Sequence, residues 1–157
     1  MRTASGVGEG KGPWVNLHDG FFGRDNWDGF LQGGDRVTLD SHPYLCFGGQ
    51  SDASMRQRQN EPCQQWGQSV NKSMKSFGLN NAGEFSNAIN DCGLYLNGVN
   101  LHTRYEGEYE EEGPWPRIGS CDQWTDWTKW DDDMKDAVKT FALSSMDALQ
   151  VRPNITF

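Results

Sequence analysis

The chain lacks long apolar segments. Its 157 residues contain only short apolar stretches such as Phe141-Ala142-Leu143, whereas a helix that crosses a bilayer needs about 20 apolar residues. Residues 1–13 contain no apolar core of the roughly 7–15 residues that a secretory signal peptide requires. The sequence therefore predicts no membrane span, and we expect no signal peptide in this chain.

Basic residues are few. The chain has 14 Lys and Arg against 22 Asp and Glu, which gives a formal net charge of −8. Proteins that bind the phosphates of nucleic acid or an anionic membrane surface use basic patches. The charge balance therefore disfavours nucleic acid as a partner.

Closely spaced cysteine pairs are also absent. None of the four cysteines, Cys46, Cys63, Cys92 and Cys121, lies within four residues of another, whereas zinc sites usually contain C-x₂₋₄-C pairs. Structural disulfides are favoured over a metal site, and we expect no metal and no cofactor. Two N-x-[ST] sequons, at Asn71 and Asn154, are compatible with a secreted protein but leave the compartment open.

Aromatic residues and glycine are abundant. The chain has 7 Trp, 8 Phe, 4 Tyr and 19 Gly, a composition typical of loop-rich proteins that bind sugars or peptides in aromatic clefts. The alternative is that the tryptophans are mostly core and the glycines mostly turns. Trp124, Trp127 and Trp130 could form a sugar platform, although loop packing above the last helix is the favoured interpretation.

Hydrophobic periodicity predicts alternating strands and helices. Strands are predicted at 14–18, 36–39 and 78–85, helices at 24–31, 61–77, 87–96 and 131–149, and a solvated acidic loop at 106–112. This alternation is typical of a parallel sheet. Polar clusters at Asp19, at His42 with Tyr44, and at Glu84 each follow a strand, and in a (β/α)₈ barrel the active site lies at that end of the strands.

Several motifs together resemble one family. They are His18-Asp19-Gly20-Phe21, His42-Pro43-Tyr44-Leu45-Cys46-Phe47, Ala82-Gly83-Glu84-Phe85-Ser86, Asp91-Cys92, Leu96-Asn97-Gly98-Val99-Asn100, Arg104-Tyr105-Glu106-Gly107 and Gly119-Ser120-Cys121. Their order and spacing resemble the fungal exo-1,3-β-glucanases (glucan exo-1,3-β-glucosidases) of glycoside hydrolase family 5, cellulase family A. The resemblance implies an α/β fold, a partial (β/α)₈ TIM barrel of about strands five to seven with their helices. Residues 1–150 would be the C-terminal part of the catalytic barrel and 151–157 a divergent tail.

The resemblance also implies a site. The family consists of retaining glycosidases, whose mechanism needs two carboxyl groups about 5–5.5 Å apart, and Glu84 falls on the position of the nucleophile. The expected substrate is β-1,3-glucan or an oligosaccharide, with release of glucose. The residues expected to line the substrate pocket are Asp19, Phe21, His42, Tyr44, Phe47 at the cleft entrance, and Asn97, whose amide would bind a sugar hydroxyl.

The second carboxyl group is expected to be missing from this chain. In the family it belongs to an Asn-Glu-Pro motif after strand four. Asn60-Glu61-Pro62 reproduces the tripeptide but follows the His42 strand, and Pro62 suits the first turn of a helix. We therefore expect Glu61 to be a helix-start acid, and we expect this chain to be a truncated product with negligible activity alone.

Further implications concern cysteines, location and an alternative function. Cys92 and Cys121 match a disulfide-bonded pair, the partner expected for Cys63 lies outside this chain, and Cys46 is an extra thiol. By resemblance the protein is extracellular or bound to the cell surface or cell wall. The alternative function is a non-catalytic carbohydrate-binding or assembly fragment of such a barrel.

Overall fold

The computed structural model describes residues 8–150. The predicted divergent tail and the Asn154 sequon lie outside the described residues. The described chain divides into two compact units. The first unit comprises residues 8–43, 63–85 and 146–150, and the second comprises 44–62 and 86–145.

Three strands and five α-helices are assigned within residues 8–150. The strands are β1 (Val15–His18), β2 (Val37–Ser41) and β3 (Asn80–Ala82), and the helices are α1 (Met55–Arg58), α2 (Glu61–Gln65), α3 (Gly67–Ser76), α4 (Asp122–Thr125) and α5 (Asp132–Ala148). Two short 3₁₀ segments occupy Arg24–Trp27 and Trp127–Lys129. No helix of the described chain is long and apolar enough to cross a membrane.

The first unit is built on a parallel sheet in the order β1-β2-β3. Leu39 in the central strand pairs with Leu17 of β1 and with Asn80 of β3, and it is fully buried. All three predicted strands are confirmed, with ends that differ by a few residues. The sheet establishes an α/β arrangement with parallel strands.

Helix α3 packs against the sheet region of the first unit. It contacts the Arg24–Trp27 segment and β3, and Lys72 on α3 forms ion pairs with Asp25 (3.0 Å) and Asp28 (3.3 Å). The helix predicted at 24–31 is shorter than expected, because Gly29 and Leu31 take positive φ values of 76° and 50° that an α-helix excludes.

The helix predicted at 61–77 is divided. Helix α2 ends at Gln65 and α3 begins at Gly67, so that the buried Trp66 lies between two helices. The prediction of helix α5, made for 131–149, is confirmed, and the Asp131 carboxylate caps its first turn by accepting the Met134 amide at 2.8 Å. Phe141 on α5 is fully buried.

The second unit is mostly loop and is closed by a disulfide. Cys92 and Cys121 are bonded to each other, as the resemblance implied, and with Tyr105 they form a buried cluster against which Ile118 and Trp124 pack. The predicted acidic loop at 106–112 is confirmed, since these residues form turns and irregular chain.

The helix predicted at 87–96 is wrong, since this segment consists of bends and turns. The Asn90 side chain accepts the Cys92 amide at 3.2 Å, and Tyr95 has a φ of 60°. Side chains that bond nearby backbone amides compete with helix formation. The spacing of Ile89, Cys92 and Leu96 imitates a helical stripe but reflects a loop tied by its own side chains.

Candidate active site

Polar side chains follow each strand of the first unit at one edge of the sheet. Asp19 follows β1, His42 follows β2 and Glu84 follows β3. Because the strands are parallel, their carboxyl ends meet at the same edge. The predicted residues Asp19, Phe21, His42 and Glu84 all belong to this unit.

His42 lies between two carboxyl groups. Its Nδ1 is 3.8 Å from an oxygen of Glu84, and its Nε2 is 3.4 Å from an oxygen of Asp40. The His42 side chain is 20% exposed, whereas that of Glu84 is 62% exposed. Glu84 is therefore accessible to a ligand from solvent, and the imidazole is held behind it.

The His42 ring also packs in a cluster with the rings of His18 and Phe21. The ring of His18 lies 4.4 Å from that of His42 and 4.9 Å from that of Phe21, between centroids and edge to face. Phe21 is 72% exposed and has a φ of 60°. The turn is fixed because the Asp19 carboxylate accepts the Phe21 amide at 2.9 Å and His18 Nδ1 accepts the Gly20 amide at 3.0 Å. Phe21 thus presents an accessible apolar face.

A cavity of about 210 Å³ opens at this edge. Its lining includes Asp19, Phe21, Arg24, Ser41 and His42. Arg24 is buried and donates a hydrogen bond to the Ser41 hydroxyl. Burial lowers the pKa of the Arg24 guanidinium, and the nearby Asp19 carboxylate opposes that shift.

Sequence reasoning did not find Arg24 or Asp40. Arg24 lies in the short 3₁₀ segment, where no motif marked it. Asp40 could have been found, because a strand's period of two places it on the same side as His42.

Three predicted substrate residues lie in the second unit. The rings of Tyr44 and Phe47 meet edge to face, 5.6 Å between centroids, and Phe47 is 49% exposed. Arg104 fixes this loop by donating to the carbonyl oxygens of Cys46 and Phe47 at 3.0 and 2.9 Å.

Asn97 is committed within the protein through its amide nitrogen. Its Nδ2 donates to Asp91 at 2.9 Å and to the His102 carbonyl at 3.0 Å. Both N–H groups of the side chain are thus occupied, so a sugar hydroxyl could approach only the carbonyl oxygen Oδ1.

Asp91 organises the second unit. It is fully buried and accepts bonds from Asn97, from the Arg104 amide and side chain, and from the Tyr105 amide. Burial raises the pKa of its carboxyl group, but the hydrogen bonds from Asn97, Arg104 and Tyr105 outweigh burial, and the net pKa is lowered. These contacts give Asp91 a structural role.

Glu61 lies in the first turn of α2, as expected. Its carboxylate forms a 2.8 Å ion pair with Arg58, whose side chain is 8% exposed. A negative charge in the first turn stabilises a helix, and the ion pair with Arg58 adds to the stability of α2.

The three spaced tryptophans are divided between packing and exposure. Trp124 packs edge to face on Tyr105, and the indole N–H of Trp130 donates to the Gln123 carbonyl at 3.0 Å. Trp127 is 68% exposed.

Within residues 8–150, no three His, Cys, Asp or Glu side chains come together as a metal site requires.

Comparison with known proteins gives a consistent relationship. No family model matches the chain. It is 30% identical over 143 residues to a glucan 1,3-beta-glucosidase of Lachancea kluyveri, covering 88% of this chain and 32% of that protein. It is 31% identical over 144 residues to the sporulation-specific glucan 1,3-beta-glucosidase of Saccharomyces cerevisiae (87% and 31%). It is 32% identical over 138 residues to a glucan 1,3-beta-glucosidase of Candida oleophila (85% and 31%).

The chain spans about a third of the length of these three curated relatives. The similarity extends over most of this chain. It is found with several relatives whose names all contain glucan 1,3-beta-glucosidase. The resemblance recognised from the motifs is therefore confirmed: the chain is related to a part of the fungal glucan 1,3-beta-glucosidases.

Proposed function

We propose that the chain is the nucleophile-bearing part of a retaining glycosidase that hydrolyses β-1,3-glucan and releases glucose. The observation that carries the proposal is the accessible carboxylate of Glu84, placed after β3 and 3.8 Å from His42. The relatives named glucan 1,3-beta-glucosidases supply the reaction class. By the same relationship the protein acts outside the cell or in the cell wall.

In the proposed reaction a Glu84 oxygen attacks the anomeric carbon as the bond to the leaving oxygen breaks. A second carboxylic acid protonates the leaving oxygen, and water later hydrolyses the glycosyl ester. The exposed face of Phe21 would pack on the C–H face of the sugar. Asp19 and Arg24, which line the adjacent cavity, would bind hydroxyl groups.

The second carboxylic acid is not supplied by the Asn60-Glu61-Pro62 tripeptide. Glu61 is paired with Arg58 in the first turn of α2, and this contact gives it a structural role. We propose that residues 1–150 form part of a (β/α)₈ barrel, about strands five to seven, and that the 157-residue polypeptide alone hydrolyses glucan negligibly.

Incubating the polypeptide with laminarin or an aryl β-glucoside tests the predicted inactivity. We expect no release of glucose above the blank. Turnover that disappears in Glu84→Gln would contradict it and show that an acid is supplied within the chain or by a second copy.

The role of Glu84 can be tested without the missing acid. A 2-deoxy-2-fluoro-β-glucoside with a dinitrophenolate leaving group needs no protonation, so Glu84 would displace dinitrophenolate and form a stable glycosyl ester. We expect one adduct by intact mass, mapped to the peptide that contains Glu84, in the unaltered chain and in the matched variant Glu61→Gln, but not in Glu84→Gln. Absence of the adduct, or its location on another residue, would overturn the nucleophile assignment.

A second candidate is non-catalytic binding of glucan. The exposed rings of Phe21 (72%) and Phe22 (73%) favour it, since sugars stack on accessible aromatic faces. Calorimetry with laminari-oligosaccharides separates the two functions. Micromolar binding without an adduct on Glu84 would support the binding function, and absence of heat would weaken it.

A further inference from the structure

The carboxylate of Asp40, on the central strand β2, accepts hydrogen bonds from β1 and β3. It lies at the edge of the sheet where Glu84 follows β3. Its Oδ1 accepts hydrogen bonds from Asn81 Nδ2 at 2.8 Å and from the Gly83 amide at 2.7 Å. Its Oδ2 accepts from Asn16 Nδ2 at 3.1 Å and faces His42 Nε2 at 3.4 Å. Asp40 is itself only 8% exposed.

A buried carboxylate is costly unless hydrogen bonds replace its water. The donors to Asp40 are the Asn16 side chain on β1, the Asn81 side chain on β3 and the amide of Gly83. Gly83 directly precedes Glu84. The hydrogen bond from the Gly83 amide to Asp40 therefore fixes the position of the main chain directly before Glu84.

The same carboxylate determines the state of His42. Both carboxylates beside His42 accept hydrogen bonds and cannot donate them. The Asp40 oxygen lies closer to its ring nitrogen, 3.4 Å from Nε2 against 3.8 Å between Glu84 and Nδ1, and Asp40 is far less exposed than Glu84, which favours a proton on Nε2. A neutral imidazole has one protonated nitrogen. Nδ1, which faces Glu84 at 3.8 Å, is then the unprotonated nitrogen.

Gly83 gives independent support for this arrangement. A Cβ at this position would lie 2.6 Å from His42 Nε2 and 2.8 Å from both oxygens of Asp40. The close approach of the Gly83 backbone to both side chains leaves no room for a larger residue.

We propose that Asp40 is a positioning residue for Glu84, an inference that rests on the proposed nucleophile function. It holds the Gly83 amide, and it keeps the proton of neutral His42 on Nε2, so that Nδ1 has no proton to donate to the Glu84 carboxylate. Asp40 acts through Gly83 and His42 and does not contact the sugar.

Imidazole ¹⁵N spectroscopy of the full chain, at a pH at which the histidines are neutral, tests the proposal. We expect Nε2 of His42 to be protonated in the unaltered protein. In Asp40→Asn the new amide oxygen can retain the Gly83 amide, while its NH₂ group faces both Asn16 and His42 Nε2. The Asn16 amide must then turn to present its oxygen, and Nε2 must become an acceptor. The proton should move to Nδ1, and the two ¹⁵N resonances of His42 should exchange positions.

Two controls accompany this variant. Asp28→Asn removes a carboxylate of the same unit that contacts Lys72 and Ser76, and it should leave His42 unchanged. His18, whose Nδ1 accepts the Gly20 amide, should keep its proton on Nε2 in every variant.

A proton on Nδ1 of His42 in the unaltered protein would overturn the proposal, even if Asp40→Asn does not fold. An unchanged proton position in folded Asp40→Asn would also overturn it. This measurement needs no turnover, so failure to label Glu84 with the fluoroglucoside would remove the proposed function and leave the His42 result readable on its own.

Discussion

At the residue scale, the surroundings of Gly83 are too tight for an added methyl group. The Gly83→Ala substitution would place a methyl group 2.6 Å from His42 Nε2, and forced overpacking typically costs about 1–3 kcal/mol. We expect the free energy of unfolding, measured in urea, to fall by about that amount.

Gly49→Ala is the matched control for Gly83→Ala. No atom lies within 4 Å of a Cβ built on Gly49, so its free energy of unfolding should change by less than about 0.5 kcal/mol. Equal losses in the two variants would contradict the steric explanation.

Asp91 predicts a dependence of stability on pH. Its hydrogen bonds lower the pKa of the folded state below the usual value, which is about 3.9 for an unfolded chain. The stabilisation is therefore complete above pH 4 and is lost as the pH falls through the lower, folded-state pKa. Urea unfolding between pH 7 and pH 3 should show this loss.

Asp91→Asn separates that contribution from general acid effects. The amide cannot titrate, so the variant should be less stable at pH 7, by about 1–3 kcal/mol, and should lose less stability than the unaltered protein on acidification. An equally steep loss in the variant would assign the pH dependence to other carboxyl groups.

Single residues show where sequence reasoning succeeds. Asp19, His42 and Glu84 could be placed at one edge because each follows a strand of a parallel sheet. The commitment of the Asn97 amide to Asp91 and His102 could not be predicted, since it depends on a loop whose path no periodicity describes. The hydrogen bonds of Asp40 depend instead on the register of β1, β2 and β3, which apolar periodicity does not determine.

At the scale of elements, the disulfide replaces regular structure in the second unit. Cys92 and Cys121 are 29 residues apart, and closing a loop of that size stabilises a fold by about 2–4 kcal/mol. We expect Cys92→Ala combined with Cys121→Ala to lower the free energy of unfolding by that amount. Cys63→Ser, at an exposed thiol, should change it little, and a comparable loss there would contradict the expectation.

The predictions of elements from the sequence succeed where apolar packing forms the element and fail where side-chain hydrogen bonds form it. Strands β1 and β2 and helix α5 follow apolar periodicity, and these predictions are confirmed. Strand β3 is confirmed as well, although its three residues, Asn80–Ala82, are mostly polar. Residues 87–96 carry a similar periodicity, yet hydrogen bonds made by Asn90 and Asp91 fold them as a loop. Periodicity records which residues are buried, but it does not distinguish a helix from a loop stabilised by polar side chains.

At the scale of the whole molecule, net charge opposes association through exposed apolar side chains. Among the large exposed ones are Phe22 (73%), Leu94 (82%) and Val99 (70%). The net charge of −8 at pH 7 keeps copies apart, and it vanishes near the isoelectric point of about 4.7.

Association should therefore increase as the pH approaches 4.7. Light scattering between pH 7.5 and pH 5 should show a rising mean mass, and added salt at pH 7.5 should produce a smaller rise by screening the charge. A mass independent of both pH and salt would show that the exposed apolar groups do not drive association.

The thiols of Cys46 and Cys63 differ in accessibility, and this difference can be used to measure local opening of the chain. Cys63 is exposed, whereas Cys46 is buried, and burial raises the pKa of the Cys46 thiol against the opposing hydrogen bond from Ser86. Because the thiolate is the reactive form, an alkylating reagent should modify Cys63 at once and Cys46 only when the surrounding chain opens. The delay between the first and second mass increments then measures how often the loop that carries Phe47 leaves its native position.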